Sequence, residues 1–98
     1  MKETATHGRP IAGESKTVAY TGTAGTTAAL TSEATSLRIM STTDCFIEVG
    51  TNPTAVANTG MYLPAFVPEY VHVKEGAMKV SAIRVSADGN LYVTPFGN

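Results

Sequence analysis

Alternation of apolar and polar positions is clearest in residues 78–96, MKVSAIRVSADGNLYVTPF, which hold two β-rich runs at 78–86 and 91–95. The linking Ala87-Asp88-Gly89-Asn90 offers Asp-Gly and Gly-Asn steps that supply positive φ, so the pattern predicts a hairpin. Met78, Val80 and Ala82 share one face, but the next apolar pair is Ile83 and Val85, a slip of one residue. A bulge near Ala82 would bring both sets back to one inward face, joined there by Leu91 and Val93. On that reading Val85 is a core residue and Val85→Asp unfolds the domain.

Upstream, residues 16–21 (KTVAYT) alternate as a strand, Gly22-Thr23-Ala24-Gly25 is a small-residue turn, and residues 26–32 are a candidate second strand. In residues 35–41, Leu37 and Ile39 point one way and Arg38 and Met40 the other. In residues 45–49, Cys45, Ile47 and Val49 oppose Phe46 and Glu48. Thr42-Thr43-Asp44 between these runs predicts another antiparallel hairpin. Residues 50–60, GTNPTAVANTG, read as a surface loop of contact-making length. Pro64 and Pro68 bracket Ala65-Phe66-Val67 and argue against a central strand there. Residues 69–74 return to alternation, with Val71 and Val73 inward.

The first fifteen residues differ. Beyond Met1 their one large aliphatic is Ile11, and Gly8, Pro10 and Gly13 break any period, which predicts an extended N-terminal arm over residues 1–15. Such an arm hangs free in a monomer or lies across a neighbour in an assembly. Residues 16–98 then form a single all-β domain, an antiparallel β-sandwich or jelly roll of seven to eight short strands. Antiparallel pairing follows because no segment is long enough for a crossover helix, and 98 residues leave room for one core.

Composition narrows the partners. Charged residues make up 15% of the chain, below the roughly 25% of ordinary domains, and fifteen Thr fill the gap with neutral hydrogen-bonding surface. The seven Lys and Arg are scattered singly and net charge is −1, which argues against nucleic acid as a partner. Convergence of Arg38, Lys79 and Arg84 in space is the one route to a basic patch. No run has the length of a membrane span and the N-terminus lacks an apolar leader core, so no membrane is expected. Cys45 is the lone cysteine; no intramolecular disulfide can form, which fits assembly in a reducing cytoplasm.

Catalytic patterns are missing. His7 and His72 have no partner at metal-ligand spacing, leaving Asp44, Cys45 and His72 as a remote metal constellation. There is no G-x-S-x-G to support a nucleophilic triad, and the carboxylates Asp44, Glu48, Glu69, Glu75 and Asp88 fall where solvated turns and strand faces need charge. Gly22 to Gly25 lacks the Lys of a phosphate loop, and Pro53 spoils Asn52-Pro53-Thr54 as a glycosylation sequon. No cofactor is implied and an enzyme is not expected; a small hydrolase is the weakest alternative.

Residues 35–96 carry a resemblance. A strand leading to Thr43-Asp44-Cys45, the turn from Gly50 to Pro53, Leu63-Pro64-Ala65 before Glu69-Tyr70, and the closing runs 79–85 and 89–94 together resemble small β-rich virion proteins of tailed bacteriophages. The resemblance implies a jelly-roll-like head decoration or cement protein, assembled in the host cytoplasm and placed on the capsid surface of the virion. Its partner would be the major capsid protein, it would act as a homo-oligomer, and no catalytic residue carries over. A head–tail or tail component is equally compatible. The irregular segments supply the candidate partner interface: His7, Arg9, Pro10 and Ile11 in the arm, Asn52, Pro53, Val56 and Met61 in and after the loop, and Phe66. The rival reading is a carbohydrate- or receptor-binding module using Tyr62, Tyr70 and Tyr92.

Overall fold

The computed structural model describes residues 8–73 and 78–97. These residues form nine strands: β1 (Arg9–Pro10), β2 (Lys16–Tyr20), β3 (Gly25–Thr26), β4 (Ser36–Ser41), β5 (Cys45–Gly50), β6 (Met61–Leu63), β7 (Glu69–His72), β8 (Lys79–Arg84) and β9 (Gly89–Gly97). All pairs are antiparallel, and no helix occurs among the described residues. One sheet runs β2-β9-β4-β7, with β1 beside β2 on the same edge of β9; the other runs β3-β8-β5-β6.

The pairing has a simple logic. β2 pairs with β9, β3 with β8, β4 with β7 and β5 with β6, as in one long hairpin whose turn lies between β5 and β6. Rolling that hairpin up adds the pairs β4 with β9 and β5 with β8 and closes it into two packed sheets. This is the jelly-roll form of the antiparallel sandwich.

Both expected hairpins are corrected by this arrangement. β8 and β9 lie in different sheets, and so do β4 and β5, so residues 85–88 and 42–44 are arches across the core. Alternation tells which side chains face inward, and it reads the same whether two successive strands share a sheet or face each other. The bulge near Ala82 is also absent. The register runs unbroken from Gly50↔Lys79 to Cys45↔Arg84, which places Val80 and Ala82 inward and Ile83 and Val85 on the outer face beside Phe46. Val85 is accordingly 44% exposed, not a core residue.

On β4, β5 and β9 the inward positions are those that alternation marks, and Tyr20 of β2 and Leu63 of β6 join them. Tyr20, Leu37, Ile39, Cys45, Ile47, Leu63, Leu91 and Val93 pack with Val80 and Ala82 into one core. Each fully buried Leu or Ile is worth roughly 1.5–3 kcal/mol. Burial also pushes the Cys45 thiol above its ordinary pKa, so this side chain behaves as a small hydrophobe. The accessible surface of 5313 Å² matches the roughly 5,300 Å² of a compact monomer of this mass.

At one end of the sandwich Tyr20 ties β2 to the β4–β5 arch. Its hydroxyl donates to the Thr43 carbonyl at 2.7 Å and lies 2.8 Å from Thr43 Oγ1, while Thr43 Oγ1 donates to the Ala87 carbonyl at 2.9 Å. Two arches and a strand end are thus joined through neutral hydroxyls, one use the fold makes of its many threonines.

Residues 8–15, expected within an arm, line the edge of β9. Arg9 pairs with Gly97 and Pro10 with Phe96, the Ile11 amide donates to the Pro95 carbonyl at 2.9 Å, and the Ile11 side chain packs against the core. A paired edge satisfies backbone groups that an extended arm would leave to water.

Candidate functional site

The segment between β5 and β7 carries most of the large apolar side chains that are exposed among the described residues. Val56, Met61, Tyr62, Phe66 and Val67 lie within residues 56–67 and account for five of the eight large hydrophobic side chains that are exposed among the described residues. The others, Tyr70, Val85 and Tyr92, are dispersed over the two sheets. The segment is positioned from both sides. Its loop folds over the outer face of the second sheet, where the Ala55 amide donates to Ser81 Oγ at 2.9 Å and both residues are buried. A turn follows in which the Thr59 and Gly60 amides reach the Val56 carbonyl, with Asn58 at φ 69°. Asn tolerates that region better than most side chains.

Beyond the loop, β6 is a sheet edge and residues 64–68 cross to β7 in the other sheet. Asp44 holds this crossing. Its Oδ1 accepts the Ala65 amide at 2.8 Å and its Oδ2 accepts the Tyr62 hydroxyl at 2.7 Å. The ring of Tyr62 meets Phe46 edge-on at 5.6 Å between centroids. Both bonds favour the ionised carboxylate, with the Tyr62 hydroxyl first and the Ala65 amide second, and keep Asp44 below the usual carboxylate range. The same bond raises the Tyr62 phenol.

A pH dependence follows from the sign of these shifts. A carboxylate with a depressed folded-state pKa contributes stability that is present above its unfolded value, near 3.8, and is lost as pH falls through the lower folded value. Wild-type Tm should therefore fall more steeply than that of Asp44→Asn when pH is lowered from 5 to 2. Parallel Tm curves for the two proteins would show that Asp44 does not hold the crossing.

The interface residues expected from sequence fall into two separate groups. His7 lies outside the described residues. Arg9 and Pro10 are exposed on the β9 edge and Ile11 is turned toward the protein's own core. This edge is on the opposite side of its sheet from β7. Asn52 is exposed and Pro53 half-buried at the start of the loop. Val56 is 53%, Met61 44% and Phe66 65% exposed. Tyr62 and Val67, in the same segment, are exposed as well, Tyr62 on the opposite face of β6 from Met61. From sequence Tyr62 is a candidate only as a ring for a sugar, and nothing in the local sequence separates an exposed Val67 from a buried one between two prolines.

The other constellations come apart. Arg38 is on the outer face of the β4 sheet, while Lys79 and Arg84 stand at opposite ends of β8 in the other sheet, so they form no basic patch. Arg84 pairs with Asp88 on the surface. Cys45 points into the core and Asp44 outward, His72 is in the other sheet, and no group of three metal-ligating side chains occurs among the described residues. Tyr70 and Tyr92 share the outer face of the β4 sheet but are separated by β4, Tyr70 opposing Arg38 and Tyr92 opposing Met40. They do not pair across neighbouring strands; Tyr70 instead meets Phe96 edge-on at 5.6 Å. Tyr62 is on the second sheet.

No family model, curated protein or solved structure matches the chain.

Proposed function

We propose that this chain is a noncatalytic structural protein that adheres to a protein shell, as head decoration or cement proteins of tailed-phage virions do. Its partner is the major capsid protein, and it acts as a homo-oligomer on the capsid surface. The observation that carries this reading is the concentration of exposed apolar side chains in residues 56–67. Exposed apolar side chains gathered in one segment offer a partner surface something to cover. The jelly-roll topology supports it at the level of fold, since capsid and lectin domains both use that architecture, although fold alone does not assign function. Adhesion would add buried area across capsomer joints, and many copies with modest interfaces would stabilise the shell by mass action.

The carbohydrate- or receptor-binding alternative needs Tyr62, Tyr70 and Tyr92 on a common platform. Their distribution over two sheets, with β4 between the two that share a face, favours adhesion through residues 56–67 instead.

The test uses heads assembled from the structural gene cluster that contains this gene, with the gene itself deleted. Purified protein added back is expected to co-sediment with the heads and raise the temperature at which they release DNA. Protein that stays in the supernatant at micromolar concentration would defeat the proposal.

A further inference from the structure

Phe66 sits where an aromatic side chain is conformationally misplaced. Its φ is +61°, and it is the third residue of a turn closed by the Val67 amide on the Pro64 carbonyl. A turn with positive φ at that one central position calls for Gly or Asn. The backbone is nevertheless pinned: the Phe66 amide donates to the Ser41 carbonyl at 2.8 Å, and the preceding Ala65 amide is held by Asp44 at 2.8 Å. Nor does the ring recover the strain by packing inside, because Phe66 is 65% exposed, the most of any large hydrophobic residue among those described. The chain thus holds a bulky side chain in a left-handed conformation and turns it outward. The two backbone bonds account for the turn, but the outward ring gains little burial in return for its strained backbone.

We infer that Phe66 is the anchor of the partner contact, a ring held ready for insertion into an apolar pocket on a protein surface edged by Lys or Arg. This rests on the adhesive reading above and assigns its central residue. The rigid turn matters because a ring whose position is fixed before binding loses less conformational freedom on docking. Buried aromatic anchors supply much of the affinity of protein interfaces. Charge decides the nature of the partner. From Ile39 to Val73 the sequence has no Lys or Arg but contains Asp44, Glu48 and Glu69; of the cations on neighbouring strands, Arg84 opposite Cys45 is paired with Asp88, and Arg38 opposite Tyr70 is half-buried. Asp44 binds the turn itself, and Glu69 is exposed three residues beyond Phe66. Such a tip suits a basic-rimmed pocket and is repelled by the anionic headgroups that draw apolar loops to membranes.

Two variants separate strain from contact. Phe66→Gly relieves the backbone and removes the ring, so its Tm should rise by about 5 °C. Phe66→Ala removes the ring and leaves the strain, so its Tm should stay near wild type. Both should bind the gene-deleted heads about 30-fold more weakly than wild type, and wild-type binding should weaken between 50 and 500 mM NaCl. A lower Tm for Phe66→Gly would mean that the ring packs on its own domain and would overturn the inference. Wild-type affinity in both variants would overturn the anchor while leaving the adhesive reading standing. If wild-type protein itself fails to bind the heads, the adhesive reading falls and the anchor with it. Wild-type protein that floats with phosphatidylcholine–phosphatidylglycerol vesicles, and loses this in Phe66→Gly, would overturn the protein pocket in favour of lipid.

Discussion

Ile47→Asp should leave the chain unfolded at 25 °C, whereas Val85→Asp should leave it folded with a Tm within a few degrees of wild type. Ile47 is 1% exposed in the middle of β5, opposite Ala82 on one side and Met61 on the other. No cation is among these partners, so an aspartate there would be buried without a charge partner. An unpaired buried carboxylate costs several kcal/mol after relaxation, and the lost isoleucine burial removes about 2 kcal/mol more. Together these approach the total stability of roughly 5–15 kcal/mol available to a domain of this size. Val85 follows β8 on the outer face, its side chain already half in water, and its backbone bond to Asp44 does not depend on the side chain. Its replacement should cost about 1 kcal/mol or less. Circular dichroism and thermal denaturation of the two variants check both outcomes. An unfolded Val85→Asp beside a folded Ile47→Asp would reverse the faces of the second sheet.

Gly25→Ala should lower stability by about 3 kcal/mol, or roughly 12–24 °C in Tm. A Cβ at Gly25 would stand 2.2 Å from the Ala19 carbonyl oxygen and 3.2 Å from Val18 Cγ2. The first contact is with backbone, and neither side can yield easily. Ala19 belongs to β2, which is bonded along β9, and Gly25 opens β3, which is bonded to β8. Relief therefore requires the two sheets to separate where the chain passes between them. Gly50→Ala is the control, because a Cβ there meets nothing within 4 Å. It should melt with wild type, and equal Tm values for all three proteins would remove the close approach as the reason for glycine at position 25.

Glycine 25 also shows the limit of local reading. Gly22-Thr23-Ala24-Gly25 is recognisable as a turn from its small residues, but the demand at Gly25 comes from a carbonyl six residues earlier, brought close only when two sheets stack. β3 is Gly25–Thr26, not the expected run 26–32, for a related reason. Its residues are Gly and Thr, with no apolar alternation to mark them, and it is a strand because β8 offers free backbone groups beside it.

The candidate site divides in the same way. That the 50–60 loop and the proline-bracketed segment would lie at the surface follows from composition, since Pro, Asn and Gly in such density cannot build a sheet interior. The strained φ of Phe66 does not follow. Phe is an improbable residue for positive φ, so no sequence rule would place it there, and only the bonds from Ser41 and Asp44 impose it. Asp44 reads in sequence as a turn residue. Its grip on Tyr62 and Ala65 exists because β6 returns beside β5 after a loop of ten residues, Thr51 to Gly60.

By itself, then, the sequence determined the all-β class, the strands with strong alternation, and the inward side of β4, β5 and β7, because a period of two follows from backbone geometry and burial alone. The tertiary structure decided which strands pair. A hairpin and an arch need the same alternation and much the same turn residues, and the choice depends on whether the inward faces of β4 and β5, or of β8 and β9, pack side by side or against each other. Rolling the chain into a jelly roll took the second course. It sent Val85 to the outer face, drew residues 8–15 onto the edge of β9, and left the Phe66 turn exposed at the crossing from one sheet to the other.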